Sequence, residues 1–514
     1  MSLKRIMLCF LLCITAPLLC ACTSAGIPIA KDKPTLTLPP AAVDLIAPIG
    51  DAALEYTVDA TLYLPRHDGA HLTAIPSTVI FAPTRPHAES LTRALLAYPG
   101  DGVVSALGGQ VKLALYGINP VEVSGNVATI NLSASALQMD RKQFFIACQA
   151  MTNTLTELTD IHYVNVLVAD RPVGLDVAGT LPMGTLSRNV EQDIGALYDQ
   201  LVSRRATAED SAAAKPFSSN VTLYFPISGT SGMLSEVRAC SFQNQLFPDM
   251  VTTILRQLGD GPQQALGSPA LPLLSDLLSD PPALVDFEKQ GGQIATLHFA
   301  YNLDAMLETY GLTRAQSMAS LCYTLCTYFP NIAGIHVTIG EAPVDTLLLT
   351  TDFQSSVIFP ENVQKRADFA TLLYNQCTLY FADSHGKTVV KTERPISYYQ
   401  CQNPRTLLVE LAKGPQSYDS VTNLAPIMPK DAIRDADLLG IALSEHTLVV
   451  NFAQPFSNIG KGMDAQAERL FTYAMVNTLC SNERIKSVCF FLSGKQFDGF
   501  SGEIYWRGLF YPML

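Results

Sequence analysis

Hydrophobic and polar positions alternate in a short pattern that recurs three times along the chain. The pattern reads "ATLYLPRHDGAHLTAIPST" at residues 60–78, "VTLYFPISGTSGMLSEVRACS" at 221–241 and "CTLYFADSHGKTVVKTERPIS" at 377–397. Alternation with a period of two is typical of a strand with one buried face, and a glycine near the middle of each stretch supplies the positive φ of a tight turn. Each stretch therefore predicts a β-hairpin.

A proline follows each predicted hairpin at nearly the same distance. Pro86, Pro248 and Pro404 begin segments with helical periodicity, and each segment ends at a glycine. Proline is favoured at the first helical position because the N–H that it lacks has no intrahelical partner there. These segments predict the first helix of each copy.

The second half of each copy carries a further alternating stretch, namely "NVATINL" at 126–132, "QIATLHF" at 293–299 and "TLVVNF" at 447–452. A longer helical pattern follows, and then a closing strand. The helical pattern has the dipeptide Thr-Leu near its end, at 154–155, 324–325 and 478–479. So many landmarks at matching distances predict three tandem copies of one β-β-α-β-α-β unit.

The predicted fold is α+β, with three tandem two-layer α/β domains that each have a mixed sheet covered by two helices. We expect the domains at residues 57–180, 218–345 and 374–511, with a soft linker at 203–220. The junction at 345–373 carries no clear linker signal. Because each copy is long enough for its own core, we expect beads on a chain and not a solenoid.

The N-terminus carries the most specific local signal. Lys4 and Arg5 precede an apolar run that is shorter and more one-sided than an ordinary membrane span, and the run ends in "LCAC" at 19–22. This ending resembles a bacterial lipobox in which Cys22 is acylated. We expect a lipoprotein signal peptide at 1–21, then a lipid anchor at Cys22 and a Pro-, Ala- and Thr-rich tether, together residues 22–56. A plain signal peptide and a membrane span are the alternatives.

Composition and charge limit the kinds of partner. The chain has 514 residues, of which 48% are hydrophobic, and this excludes a disordered protein. A net charge of −12 and a pI near 5.1 leave no basic footprint, so binding to nucleic acid or to anionic lipid by charge alone is not expected. The cysteines beyond Cys22 show no zinc-ligand spacing and predict small buried hydrophobic residues, with a disulfide as the alternative.

The motifs of copies two and three resemble the GerMN domain of sporulation and spore germination lipoproteins. The resemblance rests on "LYF", on "SEVR" or "KTER", on a helix that ends in Gly-Pro and on the strand and helix that follow. The acidic residue and arginine are Glu236 and Arg238 in copy two, and Glu393 and Arg394 in copy three. Copy one departs, because Ser77 stands in the register of the arginine.

This resemblance implies a lipid-anchored protein on the extracytoplasmic face of the membrane of a spore-forming Gram-positive bacterium, or in the space between mother cell and forespore. It also implies a non-enzymatic role in engulfment, in the channel complex between the two cells or in germination. The expected partners are the membrane, through the lipid anchor, and other envelope or sporulation proteins. The candidate contact residues are Glu236, Arg238, Glu393 and Arg394, with local salt bridges as the alternative.

We find no motif for catalysis or for a cofactor, so we expect no enzyme activity, no cofactor and no metal site. His67 and His71 could ligate a metal, but they flank a predicted turn and the other copies do not repeat them, which favours a solvated turn. The second functional hypothesis is a wall-associated enzyme or a solute-binding lipoprotein. It predicts a concave pocket with converging polar groups in one copy.

Overall fold

The computed structural model describes residues 45–51, 54–190, 193–204, 215–263, 269–287, 291–350, 356–482, 484–501 and 504–513. The predicted signal peptide, the lipid attachment at Cys22 and most of the predicted tether lie outside the described residues. Part of the predicted linker at 203–220 also lies outside them.

The first domain opens with an antiparallel hairpin and continues into a helix, a second sheet and two more helices. Its elements are β1 (Tyr56–Pro65), β2 (Leu72–Phe81), α1 (His87–Ala97), β3 (Val121–Ser124), β4 (Val127–Leu132), α2 (Arg141–Leu155), β5 (Tyr163–Val168), β6 (Arg171–Pro172), β7 (Leu186–Ser187) and α3 (Ile194–Val202). The last helix, α3, is an addition that the repeat pattern did not predict.

The second domain repeats this order with an extra short helix and a small second hairpin. Its elements are β8 (Phe217–Pro226), β9 (Met233–Phe242), α4 (Phe247–Gly259), β10 (Ala283–Asp286), β11 (Gln293–Phe299), α5 (Leu303–Thr309), α6 (Arg314–Tyr328), β12 (Ile332–Ile339), β13 (Ala342–Pro343), β14 (Thr346–Leu348), β15 (Ser356–Ile358) and β16 (Val363–Gln364). A 3₁₀ helix at Arg366–Leu372 leads into the third domain.

The third domain keeps the same order and ends in an aromatic-rich tail. Its elements are β17 (Tyr374–Ala382), β18 (Val389–Ser397), α7 (Pro404–Ala412), β19 (Leu438–Ser444), β20 (Thr447–Phe452), α8 (Ala465–Leu479), β21 (Ser487–Leu492) and β22 (Lys495–Gln496). The common order across the three domains confirms the predicted α+β fold with tandem two-layer units.

The main strands of each domain fall into two sheets, and the second domain has the small β14–β15 hairpin in addition. Each opening hairpin is a two-stranded sheet of its own, as β1 with β2, β8 with β9 and β17 with β18. The second sheet pairs two parallel strands across the long helix, β4 with β5, β11 with β12 and β20 with β21. An antiparallel strand that the sequence pattern missed, β3, β10 or β19, precedes each parallel pair. The single mixed sheet expected for each copy is thus divided.

The long helices α2, α6 and α8 begin at side chains that cap their first turns. Asp140 accepts a hydrogen bond from the Lys142 N–H at 2.9 Å, and Asp464 accepts one from the Ala467 N–H at 2.8 Å. Thr313 forms a capping box with Gln316. These bonds satisfy donors that have no intrahelical partner, so the sequence fixes where each helix starts.

Two of the long helices, α2 and α6, are not amphipathic surface helices, whereas α8 has Gln466 and Arg469 exposed. In α2 every residue from Phe144 to Leu155 is buried, and in α6 every residue from Ala315 to Tyr328 is buried. A helix that is buried on all sides lies inside its domain, and this helix contacts the opening hairpin as well as the second sheet. The expectation of two amphipathic helices on one sheet face is therefore wrong for α2 and α6.

The recurring Thr-Leu dipeptide joins this helix to the opening hairpin. The hydroxyl of Thr154 accepts a hydrogen bond from the backbone N–H of Tyr63 at 2.9 Å. Thr324 accepts from the Tyr224 N–H at 3.2 Å, and Thr478 accepts from the Tyr380 N–H at 3.0 Å. The tyrosine belongs to the "LY" of each hairpin, so the threonine satisfies an N–H at the outer edge of the first strand.

The three domains have separate hydrophobic cores but dock against one another. The separate cores agree with the expectation of beads and not a solenoid, and the described residues from 45 onward form a single compact unit in which these beads are in contact. Across the first contact, the Ser235 N–H donates to the Ser124 hydroxyl at 3.1 Å. Met233 of β9 also forms a β-bridge with Leu373, just before the third domain. Domain position is therefore fixed by specific bonds and not only by connection.

We predict that Thr324→Val lowers the stability of the second domain by about 1–3 kcal/mol, because the buried Tyr224 N–H loses its acceptor while side-chain volume is kept. Thermal unfolding and amide exchange at Tyr224 measure the effect. Thr253→Val is the matched control, since that hydroxyl is exposed and bonds only to the Asp249 carbonyl. Equal behaviour of the two variants would contradict the prediction.

Candidate functional site

Arg238, a predicted partner contact, lies inside the second domain beneath the end of α4. Its guanidinium donates to the carbonyl of Gln257 at 2.9 Å and to the carbonyl of Gly261. Its Nε donates to the Glu236 carboxylate at 2.8 Å. Because the last carbonyls of a helix lack intrahelical donors, this arginine caps the C-terminus of α4.

Arg394 caps the C-terminus of a helix in the same way in the third domain, where its side chain is fully buried. It donates to the carbonyl of Glu410 at 2.6 Å and to that of Gly414 at 2.7 Å, at the end of α7. Both Nε and Nη2 bond to the Asp419 carboxylate, at 2.7 and 2.8 Å. Asp419 therefore has the role in the third domain that Glu236 has in the second. The two carboxylates lie on different elements of their domains.

The Gly-Pro dipeptide belongs to the same arrangement. Gly261 and Gly414 have φ of 72° and 75°, the left-handed conformation that ends a helix and favours glycine. The residue after each Gly-Pro is a glutamine, and its backbone N–H donates to the carboxylate that pairs with the arginine. For Gln263 the acceptor is Glu236 at 2.9 Å, and for Gln416 it is Asp419 at 2.8 Å. Arginine, carboxylate and Gly-Pro-Gln thus form one closed motif.

This geometry shows what the four candidate contact residues do. Glu236, Arg238 and Arg394 are buried and bond within their own domains, which is the alternative interpretation of a local ion pair. Glu393 is half-buried and accepts from the Thr378 hydroxyl at 3.1 Å, with Lys391 as its ion-pair partner. A partner contact remains a prediction for these residues, and Glu393 is the one of the four whose side chain is clearly exposed in part.

The first domain is built without the arginine. Ser77 lies opposite Ala60 in the hairpin, at the register where Arg238 faces Val221 and Arg394 faces Cys377. The helix above it, α1, ends at Ala97 and leads into Gly100, whose φ is 83°. The motif is therefore a stabilising feature of two domains and not a requirement of the fold.

A third, largely buried ion pair, which the sequence did not suggest, joins the domains. Arg366, from the junction before the third domain, bonds to Glu122 of β3 in the first domain. Its guanidinium also donates to Thr327 and lies 4.1 Å from the ring centroid of Tyr323, both on α6 of the second domain. Tyr323 in turn donates to Glu122 at 3.3 Å. One cluster thus connects all three parts of the chain.

The electrostatics of this cluster follow from its burial. Burial raises the pKa of the Glu122 carboxyl, and the Arg366 charge opposes that rise. Burial also raises the pKa of Tyr398, a third-domain residue close to Glu122. An isolated charge in this place would be strongly disfavoured, so Glu122 and Arg366 need each other. No sequence signal marked either residue, because their separation along the chain is 244 positions.

The histidines and cysteines are structural in the described part of the chain. The Nδ1–H of His71 donates to the Asp68 carboxylate at 3.0 Å, and His67 bonds to the Asp101 carbonyl and the Ser105 hydroxyl next to the first hairpin turn. Among the described residues, no group of His, Cys, Asp and Glu is arranged to hold a metal. The described cysteines are free thiols, and burial raises the pKa of Cys240 and Cys489 to about 11.

Two cavities lie at domain contacts. A cavity of about 20 Å³ between the first and third domains is bordered by His87 and Gln402, and burial lowers the pKa of His87 to about 4. This volume holds about one water molecule. A groove of about 340 Å³ between the first and second domains is lined by α2, α3 and the start of β8.

None of the helices in the described stretches combines the length and apolar character needed to cross a bilayer.

Two regions of the chain, residues 61–174 and 378–498, match the model of a family described as "Germane: Sporulation and spore germination". These two regions, which together make up less than half of the chain, are similar to Germane domains. The matched regions contain the first and third repeats, and they confirm the GerMN resemblance drawn from the sequence. The second repeat lies outside the matched regions, but it shares the strand order and the threonine–tyrosine bond of the Germane domains. The match supports a function related to sporulation or spore germination.

Solved structures with a similar chain include two bacterial examples. The tandem GerMN domains of the sporulation protein GerM from Bacillus subtilis are 16% identical, with 60% of this chain and 99% of that chain covered and a TM-score of 0.22. A putative lipoprotein from Clostridium perfringens is 19% identical, with 27% and 87% covered and a TM-score of 0.18. At these values the structures carry no argument about function. No curated protein matches the chain.

We predict that Arg394→Met lowers the stability of the third domain by about 3–5 kcal/mol, because Asp419 would stay buried without its partner. Thermal unfolding followed by amide exchange in β18 and α7 measures the loss. The double change Arg394→Met with Asp419→Leu should recover part of it. Lys391→Met is the control, since its partner Glu393 is partly exposed and the loss should stay below about 1 kcal/mol. Similar losses in the two single variants would contradict a buried cap.

We predict that Arg366→Met loosens the docking of the domains while each domain stays folded, because Glu122 would be left buried and unpaired. Amide exchange at Ser235, whose N–H bonds to Ser124 across the domain contact, should become faster. Exchange in the centre of α2 should not change. Arg314→Met removes an exposed ion pair inside the second domain and is the control. Unchanged exchange at Ser235 would show that the cluster does not hold the contact.

Proposed function

We propose that the protein is a non-enzymatic, lipid-anchored scaffold that acts outside the cytoplasmic membrane during sporulation or spore germination. The Germane match supports the process. The basic start, the apolar run and the "LCAC" ending at Cys22 support export and acylation. A lipid anchor on a long tether keeps a folded body close to the membrane and lets it reach neighbouring proteins.

The scaffold proposal rests on one observation. Three arginines with buried side chains bond to groups inside the body and not to solvent. Arg238 and Arg394 cap helices, and Arg366 joins domains, so these charges stabilise the body itself. A body whose domains are fixed to one another presents its outer surfaces at constant spacing. Constant spacing lowers the entropic cost of binding several sites of a partner at once.

The partners proposed are other envelope or sporulation proteins and, through the anchor, the membrane. Net charge of −12 disfavours attraction to anionic lipid head groups, so membrane attachment rests on the acyl chains. The location proposed is the outer face of the cell membrane, including the space between mother cell and forespore.

A solute-binding role is the second candidate, and the groove between the first and second domains favours it. Its volume of about 340 Å³ lies within the range of small-ligand sites. Its polar lining includes Gln149 and Arg188, but Gln149 bonds to Ser187 and Arg188 pairs with Glu157. Because these groups already have partners inside the first domain, the scaffold role is favoured.

We predict that Cys22→Ala moves the protein from the membrane fraction to the soluble fraction of sporulating cells, because the thiol that carries the lipid is lost. Fractionation with labelling by a fatty-acid analogue measures this. Cys20→Ala is the matched control and should keep both label and membrane location. Labelled, membrane-bound protein in the Cys22→Ala strain would overturn the anchor.

The scaffold role is tested by crosslinked capture from sporulating membranes together with a deletion strain. We expect specific recovery of envelope proteins and a defect in sporulation or germination. Recovery of none, together with normal spores, would contradict the proposal. Saturable binding of cell-wall fragments that is lost in a groove variant such as Arg204→Glu would favour the second candidate.

A further inference from the structure

The segment that precedes the first domain lies on the third domain. Residues 45–51, which we call the latch, belong to the predicted tether at 22–56 and come just before β1 in sequence, so this part of the tether is bound and not free. Nevertheless, their bonds go to β19, β20 and α7, which are about 350 to 400 positions away along the chain. The placement is therefore a tertiary contact with its own chemistry.

The charged end of the latch is Asp51. Its carboxylate accepts two hydrogen bonds from the Arg405 guanidinium, at 2.9 and 2.6 Å, and one from the Ile441 N–H at 3.1 Å. The bond to Arg405 holds the pKa of Asp51 below its ordinary value. A bidentate pair of this kind fixes orientation as well as distance.

The latch backbone continues the edge of the second sheet. The Gly50 N–H donates to the Leu439 carbonyl at 2.8 Å, and the Asn451 amide donates to the Pro48 carbonyl at 2.9 Å. Gly440 makes room for this approach, because a Cβ there would lie 2.5 Å from the Gly50 carbonyl oxygen. The latch covers an edge strand that would otherwise expose unpaired backbone groups.

Apolar contacts complete the site. Leu45 and Ala47 pack on Val449, Cys489 and Phe491, which form the outer face of the third-domain sheet. The two isoleucines of the latch point outward and are 86% and 93% exposed. Leu45 and Ala47 thus face the sheet on either side of the exposed Ile46, as in an extended segment, and the chain bends at Ile49 and Gly50.

Arg405, which holds the charged end of the latch, has no arginine counterpart in the other two domains, whereas Asn451 has the counterpart Asn131 in the first domain. At the position of Arg405, directly after the helix-starting proline, the second domain has Asp249 and the first has His87. At the position of Asn451, the second domain has His298. An aspartate in place of the arginine would repel the Asp51 carboxylate, so the latch fits one domain.

We infer that the third domain carries a peptide-binding site for an extended, apolar segment that ends in aspartate, and that residues 45–51 of the same chain occupy it. This site fastens the start of the body to the third domain. If the proposed lipid anchor exists, tension on the tether is then borne first by the third domain and not by the first. The binding site itself does not rest on the proposed function.

Labelling of Cys489 in the soluble chain tests this inference. Its side chain is only 2% exposed under the latch, so a maleimide should modify it slowly in the unchanged chain. Asp51→Ala removes the Arg405 bonds, and we expect labelling of Cys489 to become roughly tenfold faster. Cys148, in the core of the first domain, should stay protected in both chains.

Two further chains complete the test. Asp51→Arg combined with Arg405→Asp should restore slow labelling, because the ion pair is reformed in reverse. Asp304→Ala removes an exposed ion pair in the second domain and should leave the Cys489 rate unchanged. Equal Cys489 rates in the unchanged chain and in Asp51→Ala would overturn the latch. The measurement needs no lipid and no spores, so it fails or succeeds separately from the proposed function.

Discussion

The ion pair between Glu122 and Arg366 is the interaction on which the arrangement of the molecule depends. Each domain has an apolar core of its own, but the position of one domain against another is set where this pair is buried with Tyr323. A buried pair adds little net stability over apolar residues, yet the loss of one partner is costly. The pair therefore selects one docked arrangement against others in which either charge would stand alone.

The three domains use a common framework and differ in what is added to it. All of them join the long helix to the hairpin by a threonine hydroxyl, as Thr154, Thr324 and Thr478 show. Only the second and third have the buried arginine, and only the third holds the latch through Arg405. Shared residues thus maintain the fold, whereas the residues that differ determine how the domains connect to one another and to the chain before them.

Sequence reasoning predicted the repeated elements well, because strand alternation, prolines at helix starts and glycines at turns are local signals. It could not separate the hairpin from the second sheet, because the periodicity of a strand does not show which other strand it pairs with. It also treated the arginines as surface candidates. Arg394 is buried because helix carbonyls and Asp419 converge on it, and only the folded chain brings those groups together.

The inter-domain contacts could not be predicted from the sequence either, because only the folded chain brings their residues together. Glu122 lies in the short strand β3, and neither it nor Arg366 or Asp51 carries a local signal for its contact, since their partners are hundreds of positions away. The junction at 345–373 gave no clear linker signal, and the structure explains this. That stretch ends in the 3₁₀ helix at Arg366–Leu372, whose first residue enters the inter-domain cluster.

The most direct test of one docked body is small-angle X-ray scattering of the soluble chain beginning at Leu45. A single body of this length has a radius of gyration of about 23 Å, and that is the value the docked arrangement predicts. The scattering curve should also fit one rigid shape. A radius of about 30 Å or more, with the curve of a flexible chain of separate domains, would contradict the central role of the Glu122–Arg366 contact.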